Sequence, residues 1–387
     1  MPRIGRIVNR GTYHYLPLER VVFGKPASHA VSEEADRVGA TRVFIVASKT
    51  LATRTPLVNG IEKALGDRHV GTFDRCIAHT PWPSVIDAAG AVREARPDLI
   101  VTVGGGTAID TVKILQLCLA HGVAEAPQLE GITSANIKEA KPSPVRQIIV
   151  PTTLSGAEFS NLAGGTDPQT RLKHSFTGPD IGARAVILDP AATLYTPEWL
   201  WLSTGVRGID HAVEALCSTQ AHPYCDGLAL HALRLFAAAL PRSRSAPEDV
   251  EARLACQQAS WLAASTIARV PYGASHGIGH ALGAAAGVPH GHTSCVMLPH
   301  VMRFNGPVTK EAQRRIAEAL GTDVQAADAV ANLIAQLGQP ATLRAVNVTR
   351  EHFPKVIEGA LKNHWVKVNP RPIRTPDDVM QLLEAAW

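Results

Sequence analysis

The sequence predicts an α/β domain built on a parallel sheet, followed by an all-helical domain. Three observations carry this. Strand-like and helix-like patterns alternate through the first half of the 387-residue chain, as in strands joined by covering helices. One strand-to-helix junction is a run of three glycines, Gly104, Gly105 and Gly106. After Asp189 the strand patterns stop, and long Ala- and Leu-rich stretches take over. The length suits two domains. The boundary is placed near residue 195, which gives domains 1–195 and 196–387.

Residues 42–47 (RVFIVA) read as a strand, 56–65 as a helix, and a short strand lies near 71–77. Residues 84–96 are helical and start at Pro83. Residues 99–103 (LIVTV) form the central buried strand, and the glycines follow it. Thr107 then caps a helix that carries Ile109, Val112, Ile114 and Leu115, with Asp110 and Lys113 on its first turns. Residues 146–150 (RQIIV) are a further strand. In the second half, 206–218, 227–240 and 250–267 read as helices. A Pro-rich segment, 369–376, introduces a closing helix over 377–386.

Composition excludes several classes of function. Hydrophobic residues make up 45% and charged residues 19%, an ordinary balance for a globular protein. A formal charge of +4 with His neutral is too small and dispersed for nucleic acid, and 5% aromatic content leaves no stacking platform. No apolar run is long enough to span a bilayer, and no apolar leader core follows MPRIGR. The six cysteines have no C-x-x-C spacing and read as buried thiols of a reducing cytoplasm, which is the expected location.

The glycine junction points to a ligand. Residues without Cβ let it approach the backbone closely. The free N–H groups and dipole of a helix start favour a phosphate. Residues 151–161 (PTTLSGAEFSN) add hydroxyls at the end of the next strand. Together, LIVTVGGGTAIDTVK and this segment resemble the GGGS-x-x-D-x-x-K and PTT-x-x-G-S-E signatures of the iron-containing alcohol dehydrogenase family. Thr107 takes the serine position. Thr166-Asp167, Lys173 and VILDP follow in the family's order. The shorter PTT spacing resembles the maleylacetate reductase branch. Asp110 and Lys113 are more similar to the alcohol dehydrogenase branch.

The resemblance implies a Rossmann-like, parallel-sheet dinucleotide-binding domain and a helical domain, with the active site in the cleft between them. It implies NADH or NADPH as cofactor. The implied contacts are Gly104, Gly105, Gly106, Thr107, Asp110, Thr152, Thr153, Ser155 and Lys173, the last near a ribose. Ser48 follows the second strand, where NAD-preferring relatives often carry an aspartate. A serine does not repel a 2′-phosphate, so both cofactors are expected to bind.

The helical half carries GVRGIDHAVEA, SHGIGHALG and VPHGHTSCVMLPHVMRFN. His276 and His280 are spaced i, i+4 and face one side of a helix. His290 is read as lying in a loop after Gly287. In metal-dependent members, an aspartate four residues before a histidine and two further histidines hold Fe²⁺ or Zn²⁺. By resemblance the ligands here are His211, His276 and His290, and His280 lines the substrate pocket. The aspartate position holds Arg207 instead. Asp210, next to His211, points about 100° away on a helix. A guanidinium repels a divalent cation and offers no lone pair, so a bound metal is not the favoured reading.

Arginine suits carboxylates and developing oxyanions. Maleylacetate reductases, which the resemblance favours, lack the metal aspartate and reduce the enone maleylacetate to 3-oxoadipate. The expectation is an NAD(P)H-dependent reductase of a small carboxylate-bearing carbonyl or enone. Arg207, His211, His276, His280 and His290 are its catalytic set, and His276 or His280 is the proton donor. Two alternatives stay open: a metal-dependent alcohol dehydrogenase, and a cofactor-binding protein without hydride transfer. The expected partners are a small-molecule substrate and a second copy of the chain in a homodimer, with no nucleic acid and no membrane.

Overall fold

The computed structural model describes residues 12–170 and 172–387. They form two compact units. One comprises Leu16–Trp201 with Arg242–Gln258, and the other comprises residues 12–15, Leu202–Pro241 and Ala259–Trp387. Residues 242–258, which follow the boundary expected near residue 195, fall in the first of these units.

In the first unit the strands are β1 (Arg20–Phe23), β2 (Val43–Ala47), β3 (His69–Phe73), β4 (Leu99–Gly104), β5 (Arg146–Pro151), β6 (Leu162–Thr166), β7 (Lys173–Thr177) and β8 (Ala183–Leu188). Its helices are α1 (Ala27–Arg37), α2 (Lys49–Arg54), α3 (Leu57–Leu65), α4 (Trp82–Ala95) and α5 (Gly106–His121). Six strands make a parallel sheet in the order β1-β8-β5-β4-β2-β3, and β6 and β7 pair as an antiparallel hairpin. Every residue of β2 and β4 is buried, as expected of a parallel sheet covered on both faces. The strand period of two divides their side chains. Leu99, Val101 and Val103 pack with Ile45, Val31 of α1 and Ile61 of α3. Ile100 packs on the opposite face with Val46, Val85 of α4 and Leu115 of α5.

Two sequence expectations need correction here. Thr107 does not cap α5. Gly105 holds the cap position, and Thr107 lies inside the first turn. Strands β1, β6, β7 and β8 were not foreseen. β1 has four residues, β6 (LAGGT) contains two glycines, and β7 (KHSFT) is polar. None of these three carries the run of β-branched residues that marks a buried strand.

The helices that follow are α6 (Glu198–Cys217), α7 (Pro223–Ser245), α8 (Val250–Ala264), α9 (Ala274–Ala286), α10 (His290–Asn305), α11 (Lys310–Ala319), α12 (Ala326–Gln336), α13 (Phe353–Lys362), α14 (His364–Lys367) and α15 (Pro376–Ala385). The helical unit has its own core, in which Ile278 and Leu282 of α9 pack with Val296 and Met297 of α10, Val356 of α13 and Leu383 of α15. His290 is corrected from a loop position to the first residue of α10. The six cysteines are free. Among the described residues, no helix is long and apolar enough to cross a membrane.

Candidate active site

The glycine turn lies where the order of the sheet reverses. The chain runs from β3 at one edge back across β2 to β4, and ligands of such sheets bind beyond the strand ends at that point. Gly104 ends β4 at φ +150°, a value that side-chain-bearing residues rarely adopt. Its carbonyl accepts the Thr152 amide at 3.1 Å. A Cβ on Gly105 would lie 2.8 Å from Thr153 Cγ2, so only glycine admits the Thr153 side chain there. At Gly106 the nearest neighbour of such an atom is Ser155 Oγ, at 3.5 Å. The start of the sixteen-residue α5 and the hydroxyls of Thr153 and Ser155 therefore surround one cradle. Such a cradle fits a pyrophosphate. Ser48 borders it, because its amide nitrogen would stand 3.9 Å from a Cβ on Gly104. Ser48 Oγ also caps α2 by accepting the Leu51 amide.

Asp110 and Lys113 act inside the fold. Asp110 Oδ2 accepts the Gly164 amide at 3.1 Å. Lys113 is fully buried and donates to the Ala157 carbonyl at 2.6 Å, Ser160 Oγ at 3.1 Å and the Leu162 carbonyl at 2.9 Å. These bonds tie the segment after β5 to α5. The Lys173 side chain crosses Gly164. Glu158 is buried beside this group and its Oε2 makes no hydrogen bond. Burial pushes its carboxyl up to about 7, against a smaller opposing pull from Lys113. Burial likewise pulls Lys113 down to about 8.

The Glu158 shift has a consequence for stability. Between its ordinary value of 4.5 and about 7 the folded state holds a proton that the unfolded chain has released, so stability falls as pH rises through that window. The full shift corresponds to about 3 kcal/mol. Glu158→Gln is expected to remove this part of the slope in chemical denaturation at pH 5, 6 and 7. Identical slopes in parent and variant would refute the assignment.

The second cluster lies in the helical unit. Arg207, Asp210, His211 and Glu214 lie on α6, His276 and His280 on α9, and His290 on α10. Arg207 does not swing out to solvent. It is 8% exposed, and its Nη1 donates to Ser294 Oγ at 3.2 Å and stands 3.9 Å from Asp210 Oδ2. Asp210 Oδ2 also accepts from Ser275 Oγ at 2.8 Å and Ser294 Oγ at 2.6 Å. Burial opposes the Asp210 charge, but His276, Arg207 and the Ser294 bond outweigh it and hold its carboxyl below the usual range. Glu214, four residues on, accepts the Gly273 and Ser275 amides at the start of α9, and accepts from His276 Nδ1 at 2.7 Å. That bond leaves His276 Nε2, which is buried without a hydrogen-bond partner. His211 Nδ1 is likewise buried and open. Burial first, then His276 and Arg207, keep the His211 imidazole neutral far below its ordinary value.

The histidines fall into two pairs. His211 and His276 stack with centroids 4.9 Å apart, and His280 and His290 meet edge-on at 5.9 Å. Among the described residues, the one group of three donors gathered within 4.8 Å is Asp210, Glu214 and His276, not the three histidines. Sequence reasoning set Asp210 aside and did not single out Glu214, although their i, i+4 spacing puts them on one helix face. It also missed Tyr272, stacked on His211 at 5.6 Å, and Trp365, whose ring lies 5.2 Å from both His276 and His280.

Residues 18–190 match the iron-containing alcohol dehydrogenase model and residues 201–387 match the C-terminal model of the same family. The chain belongs to the iron-containing alcohol dehydrogenase family. It is an NAD(P)-dependent oxidoreductase acting on a small molecule. A dehydrogenase of Alternaria alternata is 34% identical, over 90% of this chain and 99% of its own length. A maleylacetate reductase of a Pseudomonas species is 29% identical, over 92% of each chain. The crystal structure of maleylacetate reductase from Agrobacterium tumefaciens superposes with a TM-score of 0.82 at 27% identity, over 98% of each chain.

Proposed function

We propose that the protein is a metal-independent reductase of a small carbonyl or enone compound that carries a carboxylate, similar in reaction to maleylacetate reductases. The observation that carries this is the buried Arg207 guanidinium, four residues before His211, where a metal-binding relative needs an anion. The donors around it suit a divalent ion poorly. Both Glu214 oxygens are engaged by α9 amides and His276. Asp210 Oδ2 is engaged by two serines and lies beside the Arg207 cation, which leaves only Oδ1 open. Three histidines remain as donors, but their ring nitrogens do not all lie within 4.8 Å of one another.

A bound nicotinamide cofactor supplies the hydride. Arg207 binds the carboxylate, or holds the negative charge that develops on the substrate oxygen. His276, with Nδ1 held by Glu214, delivers the proton from Nε2. His211, His280 and His290 line the substrate site. Gly104, Gly105, Gly106, Thr107, Thr152, Thr153 and Ser155 hold the dinucleotide, Asp110 and Lys173 brace its pocket, and Ser48 faces the adenosine ribose. With no carboxylate at position 48, NADH and NADPH are expected to bind within about tenfold of each other, about 1.4 kcal/mol. Titration by nicotinamide fluorescence measures this. A hundredfold preference for NADH would show that another acidic group rejects the 2′-phosphate.

The test of the activity is oxidation of NADH and NADPH against matched ketones, aldehydes and enones with and without a carboxylate. The carboxylate-bearing members are expected to react, with chelator present throughout. Turnover of the neutral members alone would reject the reading.

A further inference from the structure

The proposed reaction leaves one part of the helical unit unexplained. Trp365 sits on α14, a single turn that rests directly on α9. That close approach depends on Gly277, where a Cβ would lie 2.5 Å from Val366 Cγ2 and 3.0 Å from the Val366 amide. Asn363 fixes the turn from its other end. Its Oδ1 accepts the Trp365 amide at 2.9 Å, and its Nδ2 lies 3.4 Å from His280 Nδ1. The indole is thereby held against three rings of the site. It is tilted over His276 and His280, each with centroids 5.2 Å away, and edge-on to Tyr272 at 5.3 Å. Tyr272 and His276 are fully buried, whereas Trp365 is half-buried and keeps an accessible surface.

A rigid indole at that place is more than filler. His276 and His280 lie one turn apart on α9, and Trp365 is the ring common to both. Aromatic faces favour other planar π systems in offset or edge arrangements, by more than their buried area alone accounts for. An aliphatic segment gains only the area term. Arg207 places a cation in this cluster.

We propose that Trp365 is a specificity-determining residue whose indole receives the planar, conjugated segment of the substrate. This rests on the reading that Arg207 binds the substrate carboxylate. The preferred substrate then joins an anionic head to an unsaturated chain, and saturated compounds of equal charge are discriminated against.

Fumarate and succinate test this. They match in charge and carbon number, and only fumarate is planar and conjugated. Their affinities for the full-length protein saturated with NAD⁺ are measured by titration calorimetry. The parent is expected to bind fumarate about fivefold more tightly than succinate. Trp365→Leu, which keeps apolar volume but has no π face, is expected to abolish the preference and leave succinate binding within twofold. Trp365→Phe is expected to keep most of the preference. A parent with no preference, or binding neither acid, overturns the proposal. So does a Trp365→Leu variant that keeps the preference or weakens both acids equally. Arg207→Ala tests the underlying reading separately. If it weakens neither acid, the carboxylate assignment fails, whatever the Trp365 variants do.

Discussion

Arg207→Ala is expected to lower kcat/KM by at least a hundredfold, with the protein still folded. The guanidinium is buried, donates to Ser294 and lies beside Asp210. Removing a charged contact to a developing oxyanion in such a water-poor place costs on the order of 3 kcal/mol of transition-state stabilisation. The substitution also leaves Asp210 without its cationic neighbour, so thermal denaturation must accompany the kinetics. Arg207→Lys is the informative control. It keeps the charge but loses the planar fork, and is expected to recover part of the rate. Arg207→Asp supplies the anion of the metal-binding relatives and is expected to raise affinity for zinc or iron. An Arg207→Ala enzyme as active as the parent would remove the arginine from the chemistry.

Gly105→Val is expected to weaken NADH binding at least a hundredfold, about 2.7 kcal/mol. Its first side-chain atom would fall 2.8 Å from the Thr153 methyl. Thr153 must then move, and the valine branches occupy the space over the start of α5, where the N–H groups would hold phosphate. The sheet itself does not depend on this position, because Gly105 follows β4. Fluorescence titration measures the binding, and a melting curve checks the fold. A variant that folds and binds NADH like the parent would show that the phosphates lie elsewhere.

The glycine turn was legible because its chemistry is local. Five buried strand residues, three glycines and a helix start stand in one stretch of chain. The parallel sheet and the helical second half were legible for the same reason, from periodicity and composition. The β6–β7 hairpin was not, because Gly164 and Gly165 serve close packing against Lys173 and Phe176, which leaves no strand signature. His290 looked like loop because Gly287, Pro289 and Gly291 surround it; in the structure Pro289 is the cap of α10.

The histidine and arginine positions were legible by resemblance, but their partners were not. Helical geometry sets Asp210 apart from His211 on α6, but Asp210 Oδ1 comes within 3.5 Å of His276 Nδ1. That geometry carried no information that Ser275 of α9 and Ser294 of α10 meet Asp210. Glu214 was hidden for the same reason, since its partners are amides about sixty residues away in sequence. Trp365 lies further still from the histidines it covers. Spacing reports neighbours on one helix, while the charge balance around Arg207 is a property of three.

The most direct test of a metal-independent arginine site is elemental analysis of the active parent enzyme, with turnover measured before and after dialysis against a strong chelator. Far less than one iron or zinc per chain and an unchanged rate are expected. One metal ion per chain, with activity lost on its removal and regained on its return, would contradict it.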